Sequence, residues 1–158
     1  MKTRNRNTYA FWLLLSLGTG ILSGWLSREG TARFSETALQ PPLSPPAILF
    51  PIVWTILYLL MGISAARVSL TLPSRERSRG LNLFVAQLIV NFFWGPIFFN
   101  ARAYGFALLW LLLLWVLVGL MILSFRKTDP AAALLQIPYL IWLTFAAYLN
   151  AGVWYLNK

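Results

Sequence analysis

In the apolar part of this chain, the side chains that could bind a ligand are amides and aromatic rings rather than ionisable groups. Gln87 and Asn91 are four residues apart, so on a helix they share one face, which Trp94 and Phe98 continue. An amide in hydrocarbon must find a hydrogen-bond partner, so we expect both to point inward. They either only bridge neighbouring helices or also line a cavity and donate hydrogen bonds to a ligand.

Two further stripes of residues have helical spacing. Tryptophans near a membrane end usually anchor a helix at the interface, but Trp54 and Trp142 lie several residues inside apolar segments. Such stripes are more often helix core than a ligand site, yet indole faces also suit a flat apolar ligand. The stripes comprise Phe50, Trp54, Leu57, Tyr58 and Met61, and Pro138, Trp142, Phe145, Ala146, Leu149 and Asn150.

Composition excludes several classes of function. All four acidic and thirteen basic residues lie at or beyond the ends of the apolar segments, whereas ion pumps and proton relays need ionisable groups within the membrane. The chain has no Cys and no His, so it lacks thiol chemistry and the commonest metal ligand. We expect no metal site and no required cofactor. Because the bases flank apolar segments, the charge of +9 favours a membrane-flanking role over a nucleic-acid partner.

Five apolar segments are long enough to cross a bilayer, at about residues 9–26, 46–70, 81–99, 104–125 and 131–155. They lack the alternation of barrel strands, so the sequence predicts an all-α integral membrane protein, a single domain of five transmembrane helices. The first segment follows three bases as a signal peptide would, but residues 23–26 contain no small-x-small cleavage site, so we expect it to be retained. The fourth, rich in Leu, Trp and Val, is expected to face lipid or to pack.

The distribution of bases predicts the orientation. Nine bases fall on the side of the N-terminus and four on the other, which predicts a cytoplasmic N-terminus if the membrane is a bacterial inner one. Loop 27–45 would then face outward. It closes with Pro41, Pro42, Pro45 and Pro46, which stiffen it, so it is either a lid over the bundle mouth or a plain connector.

Small residues in the first segment predict close helix contact. Ser16, Gly20 and Gly24 fall four apart on one face, which suits either packing within the chain or a dimer seam.

Three prolines lie inside or at the edge of a span. Pro51, Pro96 and Pro138 each remove a backbone donor and free a carbonyl, which lipid tolerates only where protein or a cavity covers it.

Together these residues resemble the tryptophan-rich sensory protein family, also called the translocator protein or peripheral benzodiazepine receptor family. The resemblance covers the whole length, and its strength lies in the ordered spacing of the set. The matching positions are Pro41, Pro45, Pro46, Phe50, Trp54, Leu57, Tyr58, Met61, Gly62, Gln87, Leu88, Asn91, Trp94, Phe98, Phe99, Pro138, Tyr139, Leu140, Trp142, Phe145, Ala146, Leu149, Asn150 and Asn157.

The resemblance implies a membrane-embedded binding protein for porphyrins and similar hydrophobic ligands, acting as a sensor or scavenger, and commonly a homodimer. It places a pocket under the first loop, between the second, third and fifth spans, with Trp54 and Trp142 as the pocket tryptophans. The expected ligand-binding residues are Phe50, Trp54, Leu57, Tyr58, Gln87, Asn91, Trp94, Pro138, Trp142, Phe145, Ala146, Leu149 and Asn150. The expected lid residues are Phe34, Pro41, Pro42, Pro45 and Pro46.

Two alternative functions remain open. One is light- and oxygen-dependent porphyrin degradation, in which Trp54 and Trp142 would be the catalytic residues. The other is passive or partner-driven porphyrin transport. Because nothing in the sequence supplies acid–base or metal chemistry, an enzyme is the less expected outcome.

The chain departs from the family in the first loop. Phe34, Ser35 and Gln40 stand where the family usually has a Trp-Tyr pair and a Lys. Ligand carboxylates would then depend on Arg28 or Arg33 near the bundle mouth.

Overall fold

The computed structural model describes residues 1–158, and it is helical almost throughout. Five long apolar segments are able to span a membrane, as predicted, and they form one bundle. The helices are α1 (Lys2–Leu26), α2 (Arg28–Thr37), α3 (Leu49–Ser69), α4 (Arg75–Gly95), α5 (Tyr104–Thr128), α6 (Pro130–Leu135) and α7 (Ile137–Leu156). A π-helical turn, Pro96–Asn100, continues α4, and α6 with α7 makes the fifth span.

The helix ends differ from the ends of the apolar segments. α1 and α4 begin earlier than predicted because polar turns extend them beyond the apolar residues. The hydroxyl of Ser74 caps α4 by accepting the backbone N–H of Arg77 at 3.0 Å. The prediction that residues 27–45 form a loop was wrong in its first half, where residues 28–37 form α2. Apart from Ser27, the non-helical part of this connection is residues 38–48.

Close helix pairs surround a gap between α3 and α7. The main contacts pair α1 with α3, α4 with α5, and α5 with α7. α3 and α7 do not pack closely along their backbones, so side chains fill the space between them. α5 both packs and faces outward: Leu114 and Met121 are buried, while Leu109 and Leu123 are exposed.

The small residues of α1 serve packing within the chain. Ser16 is fully buried, and Gly20 lies against the ring of Tyr58. On α3, a Cβ added at Gly62 would lie 2.8 Å from the Cα of Leu13, so the two backbones approach closely. Gly24 faces open space and takes no part in this contact.

The prolines act differently from one another. Pro51 lies in the first turn of α3, where no intrahelical donor is needed, so it frees no carbonyl within that helix. Pro96 begins the π-helical turn, and the hydroxyl of Ser23 donates to the carbonyl of Phe92 at 2.7 Å. That carbonyl is the one Pro96 cannot satisfy. Pro138 follows the break between α6 and α7.

Two ion pairs between distant parts of the chain lie on one side of the bundle. Arg67 Nε lies 2.9 Å from Asp129 Oδ2, and Lys127 Nζ lies 3.7 Å from Glu76 Oε1. Both pairs join residues that the five-span topology places on the side of the N-terminus.

Candidate functional site

Four half-buried aromatic residues bridge α3 and α7, and we call them the aromatic crevice: Phe50, Trp54, Trp142 and Phe145. The ring centroids of Trp54 and Trp142 are 6.5 Å apart with an interplanar angle of 89°. Phe50 and Phe145 contact Trp142 at 5.8 and 5.6 Å. The sequence placed these four residues at one site, and the structure brings them together.

The two indole rings are in direct contact rather than on opposite walls of an open hollow. Their edge-to-face geometry leaves no slot for a flat molecule between them. Both rings nonetheless reach the surface between α3 and α7. A planar ligand that inserts between the two rings must therefore separate them.

One buried polar atom of the aromatic crevice has no partner. The indole Nε1 of Trp142 is buried and makes no hydrogen bond within the protein. An unpaired buried donor costs free energy, typically about 1–3 kcal/mol. An acceptor atom brought by a ligand would remove that cost.

Beside the aromatic crevice lies a buried hydrogen-bonded chain, the polar network of Tyr58, Asn91, Tyr139, Gln87 and Met61. The Tyr58 hydroxyl donates to Asn91 Oδ1, and Asn91 Nδ2 donates to the Tyr139 hydroxyl at 2.7 Å. The Tyr139 hydroxyl donates to Gln87 Oε1 at 2.8 Å, and Gln87 Nε2 lies 3.9 Å from Met61 Sδ. The inward orientation predicted for Gln87 and Asn91 agrees with this structure.

The polar network supports the aromatic crevice directly. The Trp54 ring contacts Tyr58 at 5.6 Å and Tyr139 at 6.2 Å between centroids. Because both phenols are fixed by hydrogen bonds, one side of Trp54 rests on rigid groups. The amides of Gln87 and Asn91 therefore bridge helices and position Trp54 through the tyrosines.

Trp94 and Asn150 form a separate contact between helices. Trp94 Nε1 donates to Asn150 Oδ1 at 3.2 Å, and Asn150 Nδ2 donates to the carbonyl of Tyr104 at 2.9 Å. Trp94 also stacks on Phe98, with centroids 4.9 Å apart. These predicted ligand residues join α4, α5 and α7 and have their polar groups occupied.

The other predicted ligand residues lie around these groups. Leu57, Ala146 and Leu149 are buried, and Leu57 and Ala146 belong to the main apolar core. Pro138 is exposed one turn before Trp142.

Residues 38–48, which we call the lid, contact the C-terminal half of α7 and Asn157 just after it. Pro41 is buried against Gly152, where an added Cβ would lie 2.5 Å from the proline ring. The carbonyl of Pro42 accepts the hydroxyl of Tyr148 at 2.7 Å. Leu43 has φ 69°, which marks a tight turn. Pro45 is half-buried and Pro46 is exposed.

Three residues omitted from the predicted ligand set help to build this region. Tyr139 supports Trp54, Tyr148 contacts the lid, and the amide of Asn157 bonds to the backbone of Leu39. Tyr139 lies three residues before Trp142, so helical spacing alone could have placed it beside that residue. Tyr148 and Asn157 could be identified only once the position of the lid was known, and helical spacing does not give that position.

Phe34 lies apart from the other predicted lid residues. It packs from α2 against Phe98, Phe99 and Tyr104, with centroid distances of 5.3, 5.3 and 6.4 Å. It therefore anchors α2 to the π-helical turn.

Comparison with known proteins gives one consistent result. The model of the "TspO/MBR family" matches residues 11–156. The "Tryptophan-rich protein TspO" of Chlorobaculum tepidum is 35% identical over 151 residues, which is 95% of this chain and 96% of that protein. The "Protein CrtK" of Rhodobacter capsulatus is 42% identical over 123 residues, 77% of each chain. The "Translocator protein" of Bos taurus is 35% identical over 150 residues, 94% of this chain and 88% of that protein.

Proposed function

Because this chain belongs to the TspO/MBR family, we propose that it binds porphyrins or similar flat hydrophobic molecules within the membrane, as a sensor or scavenger. The family resemblance read from the residues is confirmed, and the chain is a multi-pass integral membrane protein. The proposed site is the aromatic crevice, with the lid above it.

The unpartnered indole N–H of Trp142 is the observation that carries this proposal. In the polar network and around Trp94, amide and hydroxyl donors already have acceptors within the protein. Trp142 Nε1 is the buried donor of the aromatic crevice that remains free. It sits among aromatic rings, which is where a planar ligand with a nitrogen or carboxylate acceptor gains most.

The energy balance favours opening the crevice for such a ligand. Separating one edge-to-face aromatic pair costs about 0.5–1.5 kcal/mol. For a ligand that enters from water, burying about 200 Å² of its apolar surface contributes about 5 kcal/mol at 25 cal/mol per Å². The gain exceeds the cost, so contact between Trp54 and Trp142 is compatible with ligand entry.

Titration of the purified full chain with protoporphyrin, followed by quenching of tryptophan fluorescence, tests the site. Trp54→Phe combined with Trp142→Phe should weaken binding about tenfold, because both indole faces and the free donor are lost. The matched control is Trp25→Phe combined with Trp154→Phe, since both residues are exposed near span ends. Equal affinities in the two double variants would exclude the aromatic crevice as the site.

A second candidate function, light-driven porphyrin degradation, is favoured by one arrangement. Trp54 contacts Trp142, Tyr58 and Tyr139, so oxidisable rings form a continuous group. Light would excite the porphyrin, dioxygen would accept the electrons that the porphyrin loses, and the rings would relay those electrons without net oxidation. Illuminating bound protoporphyrin should then bleach it more slowly in the Trp54→Phe, Trp142→Phe variant. An unchanged bleaching rate per bound porphyrin would argue for binding alone.

We also propose that the N-terminus faces the cytoplasm. Only two of the nine bases on its side, Arg67 and Lys127, pair with acids. Since the chain has no cysteine, single variants Ser78→Cys and Ser35→Cys report the two sides without background. A membrane-impermeant thiol reagent added to intact cells should label only Ser35→Cys. Labelling of Ser78→Cys alone would reverse the orientation.

A further inference from the structure

A second concave site lies away from the aromatic crevice, between the first turns of α1 and the last turn of α3. Its volume is about 340 Å³. Its lining combines four polar residues with two aromatic ones: Arg4, Asn7, Thr8, Ser69, Phe11 and Trp12. We propose that it binds the phosphate group of an anionic phospholipid from the leaflet on the N-terminal side.

Donor groups without protein partners face this cavity. The Arg4 guanidinium takes part in none of the three ion pairs, which are Arg28–Glu29, Arg67–Asp129 and Lys127–Glu76. The side chains of Asn7 and Ser69 make no hydrogen bond, whereas the Thr8 hydroxyl is used by the carbonyl of Arg4. Guanidinium, amide and hydroxyl donors are the groups that bind phosphate oxygens.

The aromatic residues define the other end of the ligand. Phe11 is 57% exposed, and it contacts Trp12 at 5.0 Å between ring centroids. Trp12 is held in turn by Phe84 at 5.5 Å. Seven residues separate Arg4 from Phe11, or about 10 Å along the helix axis. That length matches the step from the headgroup region to the acyl chains, so a lipid suits the cavity better than a free ion does.

Charge complementarity favours an anionic headgroup. The N-terminal side carries nine bases and two acids, Glu76 and Asp129, and both acids are paired with bases. No carboxylate competes for Arg4. A net-negative lipid such as phosphatidylglycerol should therefore bind more tightly than phosphatidylcholine, whose choline would add a further positive charge.

Native mass spectrometry of the full chain in neutral detergent, titrated with phosphatidylglycerol, measures the first bound lipid. Arg4→Gln should weaken that binding about tenfold, the worth of one charge-assisted hydrogen bond. Ser69→Ala should weaken it less. The matched control is Arg6→Gln, which removes the same charge from the same turn but does not line the cavity, and it should change the affinity less than about twofold.

Three results would overturn the proposal. Equal losses in Arg4→Gln and Arg6→Gln would mean general attraction to basic residues. Equal affinity of the wild-type chain for phosphatidylcholine would exclude selection of anionic lipid. Displacement of phosphatidylglycerol by inorganic phosphate would mean that the cavity recognises a free anion and that Phe11 and Trp12 contribute nothing.

Discussion

The side-chain amide of Asn157 and the backbone of Leu39 exchange two hydrogen bonds. The Leu39 N–H donates to Asn157 Oδ1 at 3.0 Å, and Asn157 Nδ2 donates to the Leu39 carbonyl at 2.8 Å. The pairing joins the end of the fifth span to the start of the lid, 118 residues earlier in the chain. It fastens the start of the lid to the C-terminal end of α7.

The lid is also connected to the aromatic crevice through rings. Trp142 contacts Phe145 at 5.6 Å, Phe145 stacks on Tyr148 at 6.2 Å, and Tyr148 donates to the carbonyl of Pro42. A movement of Trp142 would therefore displace Phe145 and Tyr148, and with Tyr148 the lid. Two predictions about the lid follow from these contacts.

Removing the Asn157 amide should free the lid. Asn157→Ala deletes both hydrogen bonds to Leu39, each worth about 1 kcal/mol, so the Leu39 amide should exchange with deuterium about 30-fold faster. Hydrogen-exchange mass spectrometry in detergent measures this directly. Asn82→Ala is the control, since Asn82 is exposed on α4. Exchange in residues 38–45 that is the same in both variants would show that Asn157 does not hold the lid.

A methyl group at Gly152 should displace the lid without unfolding the bundle. In Gly152→Ala the Cβ would meet the Pro41 ring at 2.5 Å, and a proline ring cannot rotate away. We expect faster exchange in residues 38–45, with the unfolding midpoint of the bundle nearly unchanged because alanine favours the helix by about 1 kcal/mol. Gly24→Ala, which meets nothing within 4 Å, should leave lid exchange as it is. Unaltered exchange in Gly152→Ala would contradict the packing of Pro41 on α7.

Sequence patterns sufficed for the spans because hydrocarbon imposes length and apolarity on them. The apolar segments predicted all five spans, and the spacing of Gln87 and Asn91 predicted their inward orientation. The helix α2 was missed because it is polar and short, and its position depends on the contact of Phe34 with the π-helical turn. The residues that make this contact lie far apart in the sequence, so it leaves no periodic pattern that could predict it.

The sequence and the family resemblance predicted that these aromatic residues lie together, but not which of their neighbours would form hydrogen bonds. Helical spacing placed Trp54 and Trp142 on stripes of two different spans, the family resemblance implied that both stripes line one pocket, and the structure brings the two rings into contact. Spacing could not show that Tyr139 occupies the amides of Gln87 and Asn91. These hydrogen bonds join residues of α3, α4 and α7, so they depend on how three helices pack. For that reason the sequence did not show that the buried donor without an acceptor would be the Trp142 indole.

The hydroxyl of Ser23 should stabilise the bundle, because it donates to a carbonyl that Pro96 leaves without its usual backbone donor. Ser23→Ala leaves the carbonyl of Phe92 unpaired and should destabilise the bundle by about 0.6–1.5 kcal/mol, measured by titration with SDS in mixed micelles. In a Pro96→Ala background the new backbone N–H can reach that carbonyl, so the same change should cost less. Strictly additive effects of the two substitutions would disprove this coupling.

Two buried glutamines should respond in opposite directions to the same substitution. Gln87 accepts the Tyr139 hydroxyl, so Gln87→Leu leaves that O–H without an acceptor and should destabilise the bundle by about 1–3 kcal/mol. Gln136 is equally buried, but neither its Nε2 nor its Oε1 has a partner. Gln136→Leu removes two unpaired polar atoms at similar volume and should stabilise the bundle by about 1 kcal/mol or more.

The comparison is made on SDS unfolding curves of the two variants and the wild type, in one detergent. Because both residues are fully buried and both changes are the same, differences in transfer free energy largely cancel. The opposite signs then report only whether the amide has a partner. If Gln136→Leu destabilises the bundle as much as Gln87→Leu does, Gln136 must bind a polar group, and the interior between α6 and α7 would hold water or ligand.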